Sequence, residues 1–178
     1  MGRMTGQLVL LAGPAGAGKS TLAKAWCATR AVAAHVQLDS VRELIVSGLV
    51  DPREDSHPRQ PEQWRTAVSA TCALATSFAE RGIDVVVDDV LEPNAAPLWS
   101  PLLRGLPARL VVILPSLDTV LERGRSRAKD VPEHIVRRQH QESRAWPAAR
   151  TLDTTGQTVT DSLAGLLQLL DRADSAWP

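Results

Sequence analysis

The chain has 178 residues, with 20 Lys+Arg against 20 Asp+Glu and a hydrophobic fraction of 44%. That size and composition suit one globular domain spanning 1–178 and exclude a disordered chain. Zero net charge argues against a dedicated nucleic-acid binder, and five Trp, one Phe and no Tyr leave too few aromatics for a base-stacking platform.

The apolar run at 8–12, Leu-Val-Leu-Leu-Ala, ends at a glycine and predicts a strand buried on both faces. A helix is predicted over 19–29. A weaker strand at 35–38 leads into a short helix at 41–47. The stretch 51–61 is rich in proline and charge and reads as a mobile loop. Over 63–81 the residues Trp64, Val68, Cys72, Ala75 and Ala79 share one helical stripe, which Gly82 ends. Strands follow at 83–87 and 109–114. A helix at 117–127 turns Leu117, Val120 and Leu121 inward, and a polar helix is predicted at 132–144. The segment 151–153 is the fifth strand. The last helix, 161–173, carries Leu163, Leu166, Leu167 and Leu170, with Thr160 as its N-cap. Strand–helix alternation implies an α/β fold with a parallel sheet and helices on both faces. Cys27 and Cys72 lack metal-ligand spacing and read as small core residues without a disulfide. Trp99 and Trp146 read as packing residues, and His134 and His140 need no function. There is no signal-peptide pattern and no membrane span, so the expected location is cytoplasmic.

Gly13-Pro-Ala-Gly-Ala-Gly-Lys-Ser20 matches G-x-x-x-x-G-K-S between a predicted strand and a predicted helix. Glycines at Gly13, Gly16 and Gly18 let the backbone of the loop, with Pro14, Ala15 and Ala17 between them, curl so that several N–H groups point inward at phosphate oxygens. The helix start, including Thr21, adds the positive end of its dipole. Lys19 would neutralise the β- and γ-phosphates, and Ser20 would offer its hydroxyl to Mg2+. The guanine-reading N-K-x-D of GTPases is absent.

Three further groups stand at the strand ends. Asp39 follows the second strand, where a carboxylate faces the γ-phosphate region and can accept a proton from a hydroxyl. Arg42, one turn on, would hold an anionic group or order Asp39. Val85-Val-Val-Asp-Asp89 ends the third strand as a metal-binding acidic pattern: Asp88 is assigned to the metal, with Asp89 the substrate-side or capping acid. After the fourth strand, Arg123 and Arg127 share a helix face, with Arg125 and Lys129 nearby. Such like charges suit a polyphosphate partner. They open a lid or basic segment at 123–144. Arg42, His57, Arg59, Trp64, Arg65 and Glu92 are candidates for the acceptor pocket, with Trp64 also fitting a core anchor.

With these motifs in place the chain resembles the short P-loop kinases, a group that includes chloramphenicol phosphotransferases, zeta toxins and gluconate-kinase-like enzymes. The segments Leu38-Asp39-Ser40 and Val86-Val-Asp-Asp-Val90 match the V-D-S and I-I-D-D-V segments of the chloramphenicol phosphotransferases. Trp64-Arg65 and the arginine-rich lid are similar to P-loop tunicamycin-resistance proteins. The segment between Val46 and Trp64 departs from the chloramphenicol family's substrate region.

The resemblance implies a three-layer P-loop NTPase fold with a five-stranded sheet in the order 2-3-1-4-5. It also implies ATP and Mg2+, transfer of the γ-phosphoryl group to a small molecule such as an antibiotic, and Asp39 as general base. It places the loop at 153–157, with Gly156, against adenine, and Arg123 and Arg127 over the phosphates. Two alternatives stay open: a nucleotide-binding regulatory or sequestering module without transfer, and a nucleoside or nucleotide kinase. The partners expected are a nucleotide and a small acceptor. Between 104 and 150 there are ten basic and five acidic residues, a net of +5 that the rest of the chain cancels.

Overall fold

The computed structural model describes residues 5–52, 56–125, 131–172 and 176–177. Five strands form one parallel sheet: β1 (Leu8–Ala12), β2 (Ala33–Gln37), β3 (Asp84–Asp88), β4 (Ala108–Ile113) and β5 (Thr151–Leu152). Their order is β2-β3-β1-β4-β5, the order implied by the resemblance. The central strands carry continuous apolar runs, 8–12, 85–87 and 110–113, because both of their faces are covered there. Leu8, Leu10 and Ala12 point into one core and Val9 and Leu11 into the other. Val85 and Val87 oppose Val86 in the same way, and Leu110 and Val112 oppose Val111 and Ile113.

The first core is closed by α2 (Leu38–Arg42), α3 (Gln60–Ala79) and α4 (Ala96–Trp99). Trp99 is fully buried there, and Trp146 donates its indole N–H to Leu91 O at 3.1 Å, so both are packing residues. The second core lies under α1 (Lys19–Cys27) and α7 (Val159–Leu170), with Trp26 at its centre. Two more helices, α5 (Leu117–Arg125) and α6 (Glu133–Ser143), follow β4 and precede β5. Cys72 is buried, Cys27 is half-buried, and both thiols are free.

Several boundaries differ from expectation. The helix expected at 41–47 is α2, which starts at Leu38 directly from β2 and ends at Arg42. It stops because the buried Arg42 side chain donates to Val50 O at 2.7 Å, which draws the following chain back. The α3 helix starts at Gln60, earlier than expected, with Pro61 in the first turn where a missing N–H costs nothing. The N-cap of α7 is Thr158, not Thr160. The Thr158 hydroxyl accepts from Asp161 N at 3.2 Å, and Asp161 in turn accepts from Thr158 N at 3.2 Å. This reciprocal capping box fixes the helix start two residues earlier. The short helical stretch from Pro93 to Trp99 was not expected from sequence. Of the expected mobile loop, 53–55 lies outside the described residues, as does Arg127. No helix among the described residues is long and apolar enough to cross a membrane.

Candidate active site at the carboxyl edge of the sheet

The G-x-x-x-x-G-K-S segment forms the loop between β1 and α1. Gly13 and Gly16 have φ of 136° and 91°, a region that side chains avoid. A Cβ on Gly13 would run into the carbonyl oxygen of Ile113, and one on Gly16 would lie 2.7 Å from Val120 O. Those positions therefore pack the loop against β4 and α5 as well as curling it. Gly18, at φ 95°, is the N-cap of α1. Lys19 is buried and its ammonium donates to Gly13 O at 2.8 Å and Pro14 O at 3.0 Å. Ala15 N donates to Gln139 Oε1 of α6 at 3.0 Å. A helix read as merely polar thus reaches the loop.

Asp88 ends β3 beside this lysine. Burial pushes its carboxyl up, but the His35 hydrogen bond, the Lys19 and His35 charges and the Ser20 hydroxyl outweigh burial and hold it below the usual carboxylate range. The His35 Nε2 to Asp88 Oδ2 distance is 2.8 Å. Ser20 Oγ accepts from Gln37 Nε2 at 3.1 Å. Sequence reasoning missed His35 and Gln37. Their alternation with Val36 on β2, two polar residues on one strand face, was the available signal.

Asp89 is the next residue and behaves oppositely. Burial pushes its carboxyl up to about 7, against the pull of Lys19 and the Val90 amide, while Asp39 and Asp88 push it further up. Its Oδ2 is buried with no hydrogen-bond partner. Asp39, in the first turn of α2, is exposed, with Arg42 Nη1 at 3.8 Å from its Oδ1.

A cavity of about 790 Å3 opens here, and Asp39, Arg42, Trp64, Asp89 and Glu92 all line it. Three other acceptor candidates are placed elsewhere. His57 and Arg59 line a separate hollow with Gly48, and Arg65 is exposed on α3. Arg42 is engaged with Val50 and Asp39, which suits the ordering role rather than the anion-holding one. Gln63 completes this wall: its Oε1 accepts from Val50 N at 2.9 Å and its Nε2 donates to Gly48 O at 2.7 Å. Arg138 and Glu142 of α6 line the same cavity and were not singled out from sequence.

On the other side of the loop is a smaller cavity of about 280 Å3, lined by Gly16, Ala17, Gly18, Thr21, Arg123, Thr154 and Gln157 among others. Arg123 donates to Ala17 O at 3.3 Å and Thr154 O at 3.2 Å. It bridges the phosphate loop and the loop after β5. Gly156 is exposed with φ 66°; it makes the turn that sets Thr154 and Gln157 against the cavity.

The fold is similar to that of solved kinases. The Mycobacterium tuberculosis APS kinase, solved with AMPPNP and APS, has 17% identity and a TM-score of 0.67, with 94% of this chain and 99% of that chain covered. The Deinococcus radiodurans tunicamycin resistance protein has 17% identity and a TM-score of 0.66, covering 93% and 96%. A gluconokinase from Sinorhizobium meliloti has 18% identity and a TM-score of 0.61, covering 94% and 93%. No curated protein matches the chain in sequence. A family profile described as an AAA domain matches residues 8–148, most of the chain, including the phosphate loop and the residues that line the larger cavity. The chain therefore belongs to the AAA-domain family, in the P-loop form that small-molecule kinases share.

Proposed function

We propose that the protein is an ATP-dependent phosphotransferase that moves the γ-phosphoryl group to a hydroxyl of a small molecule, such as an antibiotic. One observation carries the reading: Asp39 lines a cavity that opens beside the phosphate loop and its lysine. A pure nucleotide switch has no use for a carboxylate there. Likeness in fold to a tunicamycin resistance protein and to kinases of small anions supports the reaction class.

The donors present fit a magnesium nucleotide. Mg2+ needs few protein ligands when phosphates and water supply the rest. Asp88 is kept ionised at the loop and Ser20 stands beside it, so these two would hold the metal. Bound ATP would supply the phosphoryl group, and Mg2+ would neutralise charge on its phosphates. Lys19 would leave the carbonyls of Gly13 and Pro14 to pair with phosphate oxygens, and Ala15 N would exchange Gln139 Oε1 for the same oxygens. Arg123 and the 154–157 loop would flank the base. Asp39 would take the proton of the acceptor hydroxyl as the acceptor oxygen bonds to phosphorus and the bond to the departing diphosphate breaks. Arg127 and the rest of a lid at 123–144 would complete the enclosure of a single kinase-like domain.

The test is transfer from γ-labelled ATP with Mg2+ over a panel of antibiotics, sugars and nucleosides. Asp39→Asn is expected to keep ATP affinity and to lose transfer by about 10²–10⁴-fold. Undiminished transfer in that variant removes Asp39 as the base. Tight nucleotide binding with no transfer to any acceptor would favour a regulatory module.

A further inference from the structure

The larger cavity has a charge pattern that nothing in phosphoryl transfer requires. Among the described residues its lining includes Asp39, Asp89, Glu92 and Glu142, with Glu43 and Asp51 toward the rim, against only Arg42 and Arg138. The acids come from four separate places: α2 and the chain after it, the segment following β3, and α6. Neither arginine is set up to receive an anion. Arg42 Nη2 is spent on Val50 O and its Nη1 faces Asp39. The charge of Arg138 acts on Glu92.

Two carboxyl oxygens in this lining have no hydrogen-bond partner although they are buried: Asp89 Oδ2 and Glu142 Oε2. Burial of such groups without partners is costly, and a donor supplied from the cavity would relieve it. Glu92 and Glu142 both line the cavity. Burial first, then the neighbouring Glu142 carboxyl, pushes Glu92 up to about 7 against Arg138 and Asn94. A carboxyl pair of this kind shares a proton in the absence of a cation and welcomes one when it arrives. The remaining wall is mostly apolar, with Leu49, Val50, Trp64, Val131 and Ile135 beside the amides Gln60, Asn94 and Gln139. A volume of about 790 Å3 lies in the range of cavities that enclose drug-sized molecules.

We propose that the acceptor is a drug-sized amino alcohol: a hydroxyl presented to Asp39, a protonated amine held by Glu92 and Glu142, and an apolar body against Trp64 and Ile135. This rests on the phosphotransferase reading and narrows its substrate class. It disfavours acceptors that carry phosphate or carboxylate, for which the lining offers repulsion and no disengaged guanidinium.

The experiment compares matched pairs by calorimetry in the presence of AMPPNP, so that no turnover is needed. One pair is the aminodiol left when chloramphenicol loses its acyl group, against chloramphenicol itself. A second is propranolol against its N-acetyl derivative. Thymidine monophosphate and gluconate serve as anionic probes. The amines are expected to bind at least about 10-fold tighter than their amides, with the anions weakest. Glu142→Gln is expected to erase most of that preference, its melting curve reporting whether the fold is kept; Glu92→Gln provides a second, independent variant. Amines that bind no better than their amides overturn the proposal, and so does failure of both amines to bind. A preference that both variants leave intact also overturns it. An amine preference without phosphoryl transfer would instead overturn the kinase reading and leave the acceptor class standing. Transfer to an anionic acceptor would do the reverse.

Discussion

Asp88 and Asp89 are chain neighbours with opposite electrostatics, and the difference lies in what each oxygen touches. Asp88 has His35, Lys19 and Ser20, which together overcome burial. Asp89 has one orphaned oxygen and two acidic neighbours, and its carboxyl rises to about 7. The unfolded chain releases the Asp89 proton near pH 4, whereas the folded chain keeps it to about pH 7. Between those values the folded state binds more protons, so this group lowers stability as pH rises through the window. Asp89→Asn removes the ionisation. The unliganded variant is expected to gain at least about 1 kcal/mol at pH 8, or about 2–4 °C in Tm, and to match wild type at pH 4. Melting curves at the two pH values check this, and an equal gain at both would mean that the side chain acts through packing. Glycine is decisive at the same scale. Gly16 combines positive φ with a Cβ position 2.7 Å from Val120 O. Gly16→Ala is therefore expected to destabilise the loop by at least about 1 kcal/mol and to weaken AMPPNP binding, read by melting and calorimetry.

Helix ends show how local and distant signals divide. The capping box of α7 is local: Thr158 and Asp161 exchange hydrogen bonds within one turn. Thr158→Ala is expected to cost about 1 kcal/mol, whereas Thr160→Ala should change the midpoint of denaturant unfolding little. The correct cap was present in the T-x-x-D spacing, and the choice of Thr160 overlooked that reciprocal pair. The α2 boundary had no such local signal. Val41, Leu44 and Ile45 have helical spacing, yet Leu44 is 73% exposed and Val46 is 95% exposed. What ends the helix is Val50, held by Arg42 from one side and Gln63 of α3 from the other. Both contacts depend on packing between elements, which periodicity does not encode. The central strands were legible for the converse reason. Burial on two faces makes every residue apolar, so Leu8, Val9, Leu10 and Leu11 announce the strand without tertiary information. The wall of the larger cavity was only half legible. Asp39 and Asp89 sit at strand ends, where chemistry is expected, but Glu142 meets Glu92 from a helix 50 residues away in sequence.

Across the whole molecule, the zero net charge conceals a spatial arrangement that differs from the one suggested by the sequence. Among the described residues, the basic side chains between 104 and 150 are dispersed rather than gathered beside the phosphate loop. Arg137 pairs with Glu133 on the surface of α6, and Arg109 donates to Arg172 O. Of the described basic residues in that segment, only Arg123 and Arg138 line the cavities on either side of the phosphate loop. The loop separates an acidic cavity from a smaller one lined by Arg123, and Lys19 lies in the loop between them. The Lys19 ammonium donates to Gly13 O and Pro14 O and so latches the loop. A nucleotide must exchange those two hydrogen bonds for phosphate contacts. Lys19→Ala therefore removes both the latch and the charge that receives phosphate. Magnesium AMPPNP at 100 times its Kd is expected to stabilise wild type by about 2.7 kcal/mol, a rise in Tm of about 5–10 °C. At the same concentration the variant should rise by no more than about half as much, because a triphosphate that loses its principal counter-charge binds at least ten times more weakly. The free variant should still unfold in one cooperative transition, since both cores lie away from this side chain. A full wild-type rise in Lys19→Ala would place the nucleotide's phosphates somewhere other than this loop.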